Sequence, residues 1–189
     1  MTDVAGVLLA AGAGTRMGRP KALVEGPDGT PWVVSAVRTL RDGGCGAVVV
    51  VIGAEAETVR ACLAGEDVTI VEPPDWADGM GVSLGAGLRA LEAHDAALVH
   101  LVDLPDVGPD VVRRLARHAA VDVLARADYG HGPGHPVLLG RDHWAGVIAS
   151  VVGDQGARAY LDQHDVLAVD CRDLATGVDV DRPGPMLGR

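Results

Sequence analysis

The chain has 189 residues and sets 16 Lys+Arg against 26 Asp+Glu, a formal net charge of −10 at pH 7. Hydrophobic residues make up 48% of it and the mean hydropathy is +0.21, which excludes a disordered chain. A uniformly acidic surface repels phosphate backbones and anionic lipid, so neither nucleic acid nor a membrane is an expected partner.

The length points to one domain covering residues 1–189, long enough to bury roughly 70% of its unfolded surface without staples. Cys45, Cys62 and Cys171 are odd in number and lack C-x-x-C spacing. That argues against a disulfide framework or zinc knuckle and fits a reducing compartment. The first residues hold no basic n-region, and the longest strongly apolar run, 47–52, is far short of a membrane span. The expectation is a cytoplasmic protein.

Taken in order, residues 4–10, 47–52, 68–71, 96–102 and 121–125 read as strands. They are almost continuously apolar, as strands covered on both faces of a parallel sheet are. Between them lie helical stretches. Thr30 and Pro31 suit the N-cap and first turn of a helix that Gly43-Gly44 closes. Residues 55–63, 82–93 and 110–119 supply the next helices. This βα alternation predicts an α/β fold, a mostly parallel sheet flanked by helices with right-handed crossovers. Beyond Arg126 the rhythm changes to a Gly/Pro-rich loop at 128–135 and a short strand at 136–139. Helices at 143–151 and 155–163 and strands at 166–169 and 178–180 complete the reading.

The strongest local signal follows the first strand: Leu9-Ala-Ala-Gly-Ala-Gly-Thr-Arg-Met-Gly-Arg-Pro-Lys21. Open α/β sheets bind ligands at such carboxyl ends of strands. Gly12, Gly14 and Gly18 let backbone N–H groups face an anion. Arg16 and Lys21 add a bidentate fork and a point charge suited to phosphate oxygens. The Rossmann spacing G-x-G-x-x-G fails because Met17 stands at the third glycine, and no glycine is followed by the lysine of a Walker A loop. What remains is a long glycine loop around a triphosphate, the bland alternative being a flexible loop with exposed cations.

This segment resembles the signature L-A-[AG]-G-x-[GS]-x-R-M-G-x-x-K of nucleotidyltransferases of the molybdenum cofactor type, matching every fixed position. The resemblance implies a three-layer, Rossmann-like nucleotidyltransferase fold. It makes Leu9, Ala10, Ala11, Gly12, Gly14, Arg16 and Lys21 nucleotide-binding residues. Alanine at Ala11 goes with cytidylyltransferases and glycine there with guanylyltransferases, so CTP is implied rather than GTP.

Nucleotidyl transfer needs a divalent cation on the phosphates, usually Mg²⁺ held by one or two carboxylates. Asp103, at the end of the 96–102 strand, sits in Leu-Pro-Asp context similar to the family's D-Q-P segment, with Leu104 in place of the glutamine. The bland alternative is a turn aspartate before Pro105. Asp179-Val-Asp181 resembles the family's D-I-D-T-P-E-D, with Arg182-Pro-Gly-Pro185 replacing its end. Spaced by two, the carboxylates share a face if the segment is extended. By resemblance Asp181 joins Asp103 as metal ligand, and a solvated acidic terminus is the alternative.

Gly79-Met-Gly-Val-Ser-Leu-Gly-Ala-Gly87 is similar to the family's G-M-[GS]-x-S-L-x-x-G, which adds Gly79, Met80 and Ser83 to the nucleotide pocket. Gly134-His-Pro136 and Gly153-Asp-Gln-Gly-Ala-Arg158 resemble segments on the acceptor side, implying His135, Asp154 and Arg158 there. Asp154 equally suits an N-cap. His131 and His135 lack a third ligand for zinc, and Trp32, Trp76 and Trp144 carry no readable signal.

The implied reaction transfers CMP from CTP to the phosphate of a molybdopterin-type acceptor, releasing pyrophosphate, with Arg16, Lys21 and Asp103 in catalytic roles. Three alternatives stay open. One is a GTP enzyme on another small phosphorylated acceptor. Another is a flavin- or NAD(P)H-linked reductase. The last is a non-catalytic maturation partner of a molybdoenzyme.

Overall fold

Side chains on neighbouring strand residues point to opposite sheet faces, so a run such as Val4–Ala10 stays buried throughout only if both faces are covered. That is the arrangement in the computed structural model, which describes residues 2–91, 93–151 and 156–181. Val4, Leu8 and Ala10 enter one apolar layer, and Ala5, Val7 and Leu9 enter the other.

The elements are β1 (Val4–Ala10), α1 (Trp32–Asp42), β2 (Ala47–Ile52), α2 (Ala56–Cys62), β3 (Thr69–Val71), α3 (Met80–Arg89) and β4 (Ala96–Leu101). They continue with α4 (Pro109–Ala116), β5 (Leu124–Asp128), β6 (Pro133–Gly140), α5 (Arg141–Ser150), α6 (Arg158–Leu161) and β7 (Leu167–Asp170). Single 3₁₀ turns lie at Lys21–Leu23 and Trp76–Asp78. Helices α1 and α4 cover one face through Val33, Val37, Leu40, Val111 and Leu115. Helices α3 and α5 cover the other through Leu84, Leu88, Trp144 and Val147.

One seven-stranded sheet runs in the order β3-β2-β1-β4-β6-β5-β7. Pairings β1/β2, β1/β4, β2/β3 and β5/β7 are parallel, as the periodicity predicts. The pure βα alternation fails at β6, which lies antiparallel between β4 and β5. Residues 129–132 join β5 to β6, a connection too short for a crossover, so the chain must turn back on itself.

Three local expectations are corrected. Pro31, not Thr30, is the N-cap of α1, with ψ 140 and no side-chain cap. Asp28 claims Thr30 instead, accepting hydrogen bonds from its N–H at 3.0 Å and its hydroxyl at 2.9 Å. The helix expected over 155–163 is reduced to α6, and residues 152–155 lie outside the described residues. No strand forms over 178–180; the Val180 N–H donates instead to the Asp103 carbonyl at 3.0 Å, beyond the end of β4.

His100 of β4 is 1% exposed, faces the α1/α4 layer, and its Nδ1 has no hydrogen-bond partner among the described residues. Burial, aided by repulsion from His135, pushes its pKa down to about 3 from the ordinary 6.5. As pH falls below 6.5 the unfolded chain takes up a proton here that the folded chain refuses, so stability is lost with acidification. Between pH 6.5 and 5 this one histidine is expected to cost about 2 kcal/mol. His100→Leu should flatten the pH dependence of the unfolding free energy by that amount, read by denaturant titration at each pH, and superimposable profiles would remove His100 as its source.

Candidate active site

The order of strands decides where the site lies. From β1 the chain moves outward through β2 and β3, then returns to place β4 on the other side of β1. The loop leaving β1 leads to α1 on one face and the loop leaving β3 leads to α3 on the other, and a crevice opens between them at the carboxyl ends of the strands. Leu9 pairs in register with Leu101, and the Val102 N–H donates to the Leu9 carbonyl at 3.3 Å. The glycine loop and Asp103 thus leave the sheet side by side.

Gly14 has φ +60, and a Cβ on it would run into the Arg19 carbonyl, so no other residue fits this turn without strain. The Met17 N–H closes it on the Gly14 carbonyl at 2.8 Å. After Pro20 comes the 3₁₀ turn, whose Ala22 is 1% exposed and plugs into the core. That anchor directs Lys21 back across the crevice.

Lys21 Nζ donates to Asp103 Oδ2 at 2.8 Å and to Asp181 Oδ1 at 2.6 Å. Arg16 Nη1 donates to Asp181 Oδ2 at 2.9 Å from a side chain that is 73% exposed, against 16% for Lys21. Solvent screens the arginine contact, so Lys21 is the consequential cation. Burial pulls the Lys21 pKa down, but hydrogen bonds to Asp103 and Asp181 and their charges outweigh it and leave it above the usual value. The Lys21 hydrogen bond and charge hold the Asp181 carboxyl below the usual carboxylate range.

Asp179 is the third acid, and one ligand atom from each of Asp103, Asp179 and Asp181 lies within 4.8 Å of the others. Asp103 Oδ1 is buried with no hydrogen-bond partner among the described residues. A buried, unmet carboxylate oxygen inside an all-oxygen donor set fits a hard divalent cation such as Mg²⁺ or Mn²⁺.

Beside this cluster opens a cavity of about 490 Å³ lined by Leu9, Ala11, Gly12, Gly14, Lys21 and Asp103 on one side. Trp76, Gly79, Met80 and Ser83 line the other, where the N-terminus of α3 presents free N–H groups. A second cavity, about 300 Å³, shares Leu9 and Met80 with the first and contains Arg126, His135 and Arg158. Burial, partly offset by Asp103, pushes the His135 pKa down to about 4, so its ring is neutral at pH 7.

Most of the residues singled out in the sequence therefore meet in one place. Ala10 is the exception in the loop, its side chain buried in the α1/α4 layer rather than lining the cavity. Arg16 stands at the rim, His135 and Arg158 line the second cavity, and Asp154 lies outside the described residues. Leu104 is 5% exposed and packed in the core, so that position offers no side chain to the cavity. Trp76, silent in sequence, lines the cavity, and its place just before Gly79-Met80 is the available signal. Asp179 joins Asp181 at the cluster, as their shared face allows, although the resemblance singles out Asp181 as the metal ligand.

A mostly parallel α/β sheet with a glycine loop, a lysine and clustered carboxylates at its switch point is the architecture of the nucleotidyltransferase class. The family model described as MobA-like NTP transferase domain matches residues 6–168, and the chain belongs to that family. It is 41% identical over 188 residues to the nicotine blue oxidoreductase of Paenarthrobacter nicotinovorans, covering 94% of this chain and 92% of that protein. It is 26% identical over 142 residues to the molybdenum cofactor cytidylyltransferase of Escherichia coli K12, covering 75% and 72%. A nucleotidyl transferase from Methanothermobacter thermautotroptrophicus superposes with TM-score 0.85 at 25% identity, covering 96% of this chain and 93% of that one. Rv0371C of Mycobacterium tuberculosis H37Rv, solved in complex with manganese, gives 0.74 at 28% identity, covering 95% and 94%. No helix among the described residues is long and apolar enough to cross a membrane.

Removing the lysine tests the electrostatics directly. In Lys21→Met the Asp181 carboxyl is expected to titrate at higher pH than in the wild type, read by carboxyl-carbon NMR. An unchanged titration would show that Lys21 does not hold it.

Proposed function

We propose that this chain transfers CMP from CTP to the phosphate of a molybdopterin-type acceptor, with release of pyrophosphate. The observation that carries the reading is Lys21 Nζ bridging Asp103 and Asp181 at the mouth of the glycine-loop cavity. Membership of an NTP transferase family and the likeness to a cytidylyltransferase support it.

The N–H groups of residues 12–18 and of the α3 N-terminus suit the triphosphate, and Ala11 and Trp76 form walls for the nucleoside. An oxygen of the acceptor phosphate attacks the α-phosphorus as the bond to the bridging oxygen breaks and pyrophosphate departs. No protein nucleophile is required. Lys21 and Arg16, held near the acids when the site is free, are placed to turn to the phosphates as charge accumulates on the leaving group. The Asp103, Asp179 and Asp181 carboxylates fit Mg²⁺, which when bound supplies charge neutralisation on the phosphate oxygens. The second cavity is the place for the acceptor, with its apolar walls, neutral His135 and Arg158.

A second reading, a pigment-type oxidoreductase, is favoured by the 41% identity to nicotine blue oxidoreductase along nearly the whole chain. A thermal-shift panel of CTP, GTP, ATP and UTP with Mg²⁺, together with NADPH and FMN, separates the two. Saturating Mg²⁺-CTP at 100 times its dissociation constant is expected to raise the melting temperature by roughly 5–10 °C. A larger shift with GTP would defeat the cytidylyl assignment. A shift with NADPH or FMN and none with any triphosphate would select the oxidoreductase. In turnover, Lys21→Ala and Asp103→Ala should each lose about 100-fold or more, and near wild-type rates in both would reject the mechanism.

A further inference from the structure

The chain returns to the site after β7 as a strap, residues 171–181, that carries Asp179 and Asp181 and forms no strand. Something must hold it, because like-charged carboxylates gathered within a few ångströms push one another apart.

Two anchors are visible upstream of the acids. Arg114 of α4 grips Asp173 through two bonds, at 2.5 and 2.9 Å, and donates to the Asp170 carbonyl at 2.8 Å. Nearer the acids, a single oxygen of Asp106 accepts three hydrogen bonds. They come from the Thr176 N–H at 2.7 Å, the Thr176 hydroxyl at 2.5 Å and the Gly177 N–H at 3.2 Å. Gly177 has φ +63, and a Cβ there would run into the Tyr129 ring, so the strap bends tightly at this point. His131 Nε2 meets the Thr176 carbonyl at 2.6 Å from the other side.

Asp106 belongs to the same loop as Asp103. Leu104 and Val107 of that loop are buried, 5% and 3% exposed, and the Val107 N–H closes on the Leu104 carbonyl at 3.1 Å. The loop is thus pinned to the core by its apolar members, while its two aspartates look outward: one into the site and one onto the strap. Four residues past the Thr176 anchor, the Val180 N–H donates to the Asp103 carbonyl at 3.0 Å. The separation of Asp103 from Asp179 and Asp181 is set within one short circuit of bonds that passes through Asp106.

We infer that Asp106 is a positioning residue, which fixes the strap so that Asp179 and Asp181 meet Asp103 at the cation site. That Asp179 and Asp181 serve a cation rests on the reading under Proposed function; the anchoring does not. Asp106 touches neither the cavity nor the acids, and it acts through Thr176 and the Gly177 N–H.

The test pairs hydrogen exchange with Mn²⁺ titration. Losing charge-assisted bonds in Asp106→Ala should speed exchange of the Val180 amide about 10-fold or more, with β1 and β4 amides unchanged. The Mn²⁺ dissociation constant should rise about 10-fold or more. Thr176→Val, which removes one of the three bonds and no charge, should move both readouts the same way by less, and serves if the alanine variant folds poorly. In a background carrying both Asp179→Asn and Asp181→Asn the Asp106 substitution should cost little further Mn²⁺ affinity, because the ligands it positions are already gone. Unchanged Val180 exchange, or full and additive losses of Mn²⁺ affinity in the combined variant, would overturn the inference. A wild type that binds no Mn²⁺ but whose Val180 exchange still depends on Asp106 would retain the anchor and reject the cation reading instead.

Discussion

Carboxylates do not gather by preference. Three of them with ligand atoms inside 4.8 Å repel, and each loses hydration on approach. The cluster holds because Lys21 Nζ sits between Asp103 and Asp181, largely shielded from water, with Arg16 closing the outer side. Two cations against three acids leave a residual negative charge and an unmet Asp103 oxygen. That imbalance, in an all-oxygen donor set, fits a hard divalent cation.

The remainder of the molecule sets the distances in this cluster. Burial on both faces fixes β1 and β4 as rigid neighbours, and the parting of α1 and α3 to opposite faces opens the crevice at the strand ends. The strands act as a jig: Leu9 opposite Leu101 determines that the glycine loop and Asp103 start level with one another. On the far side of β4, the antiparallel β6 brings His135 beside a second cavity that meets the first at Leu9 and Met80. Two ligands can therefore lie end to end across the tips of the central strands. That geometry suits group transfer, yet a sheet of this kind positions ligands for many chemistries, and the acids and lysine favour phosphate over hydride.

Local sequence made the strands and most helices legible because apolar runs and periodicity are properties of the chain itself. Val4–Ala10 and Ala47–Ile52 fall at the bounds read from sequence. Where the structure departs from these expectations, one cause is a local competitor and the other a nonlocal crossing. Thr30 was drawn from its capping role by Asp28, and residues 178–180 found no ladder because the strap crosses β4 beyond its end. The direction of β6 follows from the short turn at 129–132, whereas its position between β4 and β5 does not. Trp76 could not be read as a cavity wall, since an isolated tryptophan has the same signature in a core.

The α/β class, the glycines and cations of the 12–21 loop and the supply of acids at positions 103, 179 and 181 are legible along the chain. Those are properties of residue type and short spacing. The tertiary fold, by contrast, decided that Lys21 pairs with Asp103 and Asp181 across 82 and 160 residues of chain, and that Leu104 turns into the core. It also decided that Asp106 holds the strap 70 residues away. Contacts at such separations depend on strand order and on which loops the sheet brings level, and no periodicity along the chain encodes either.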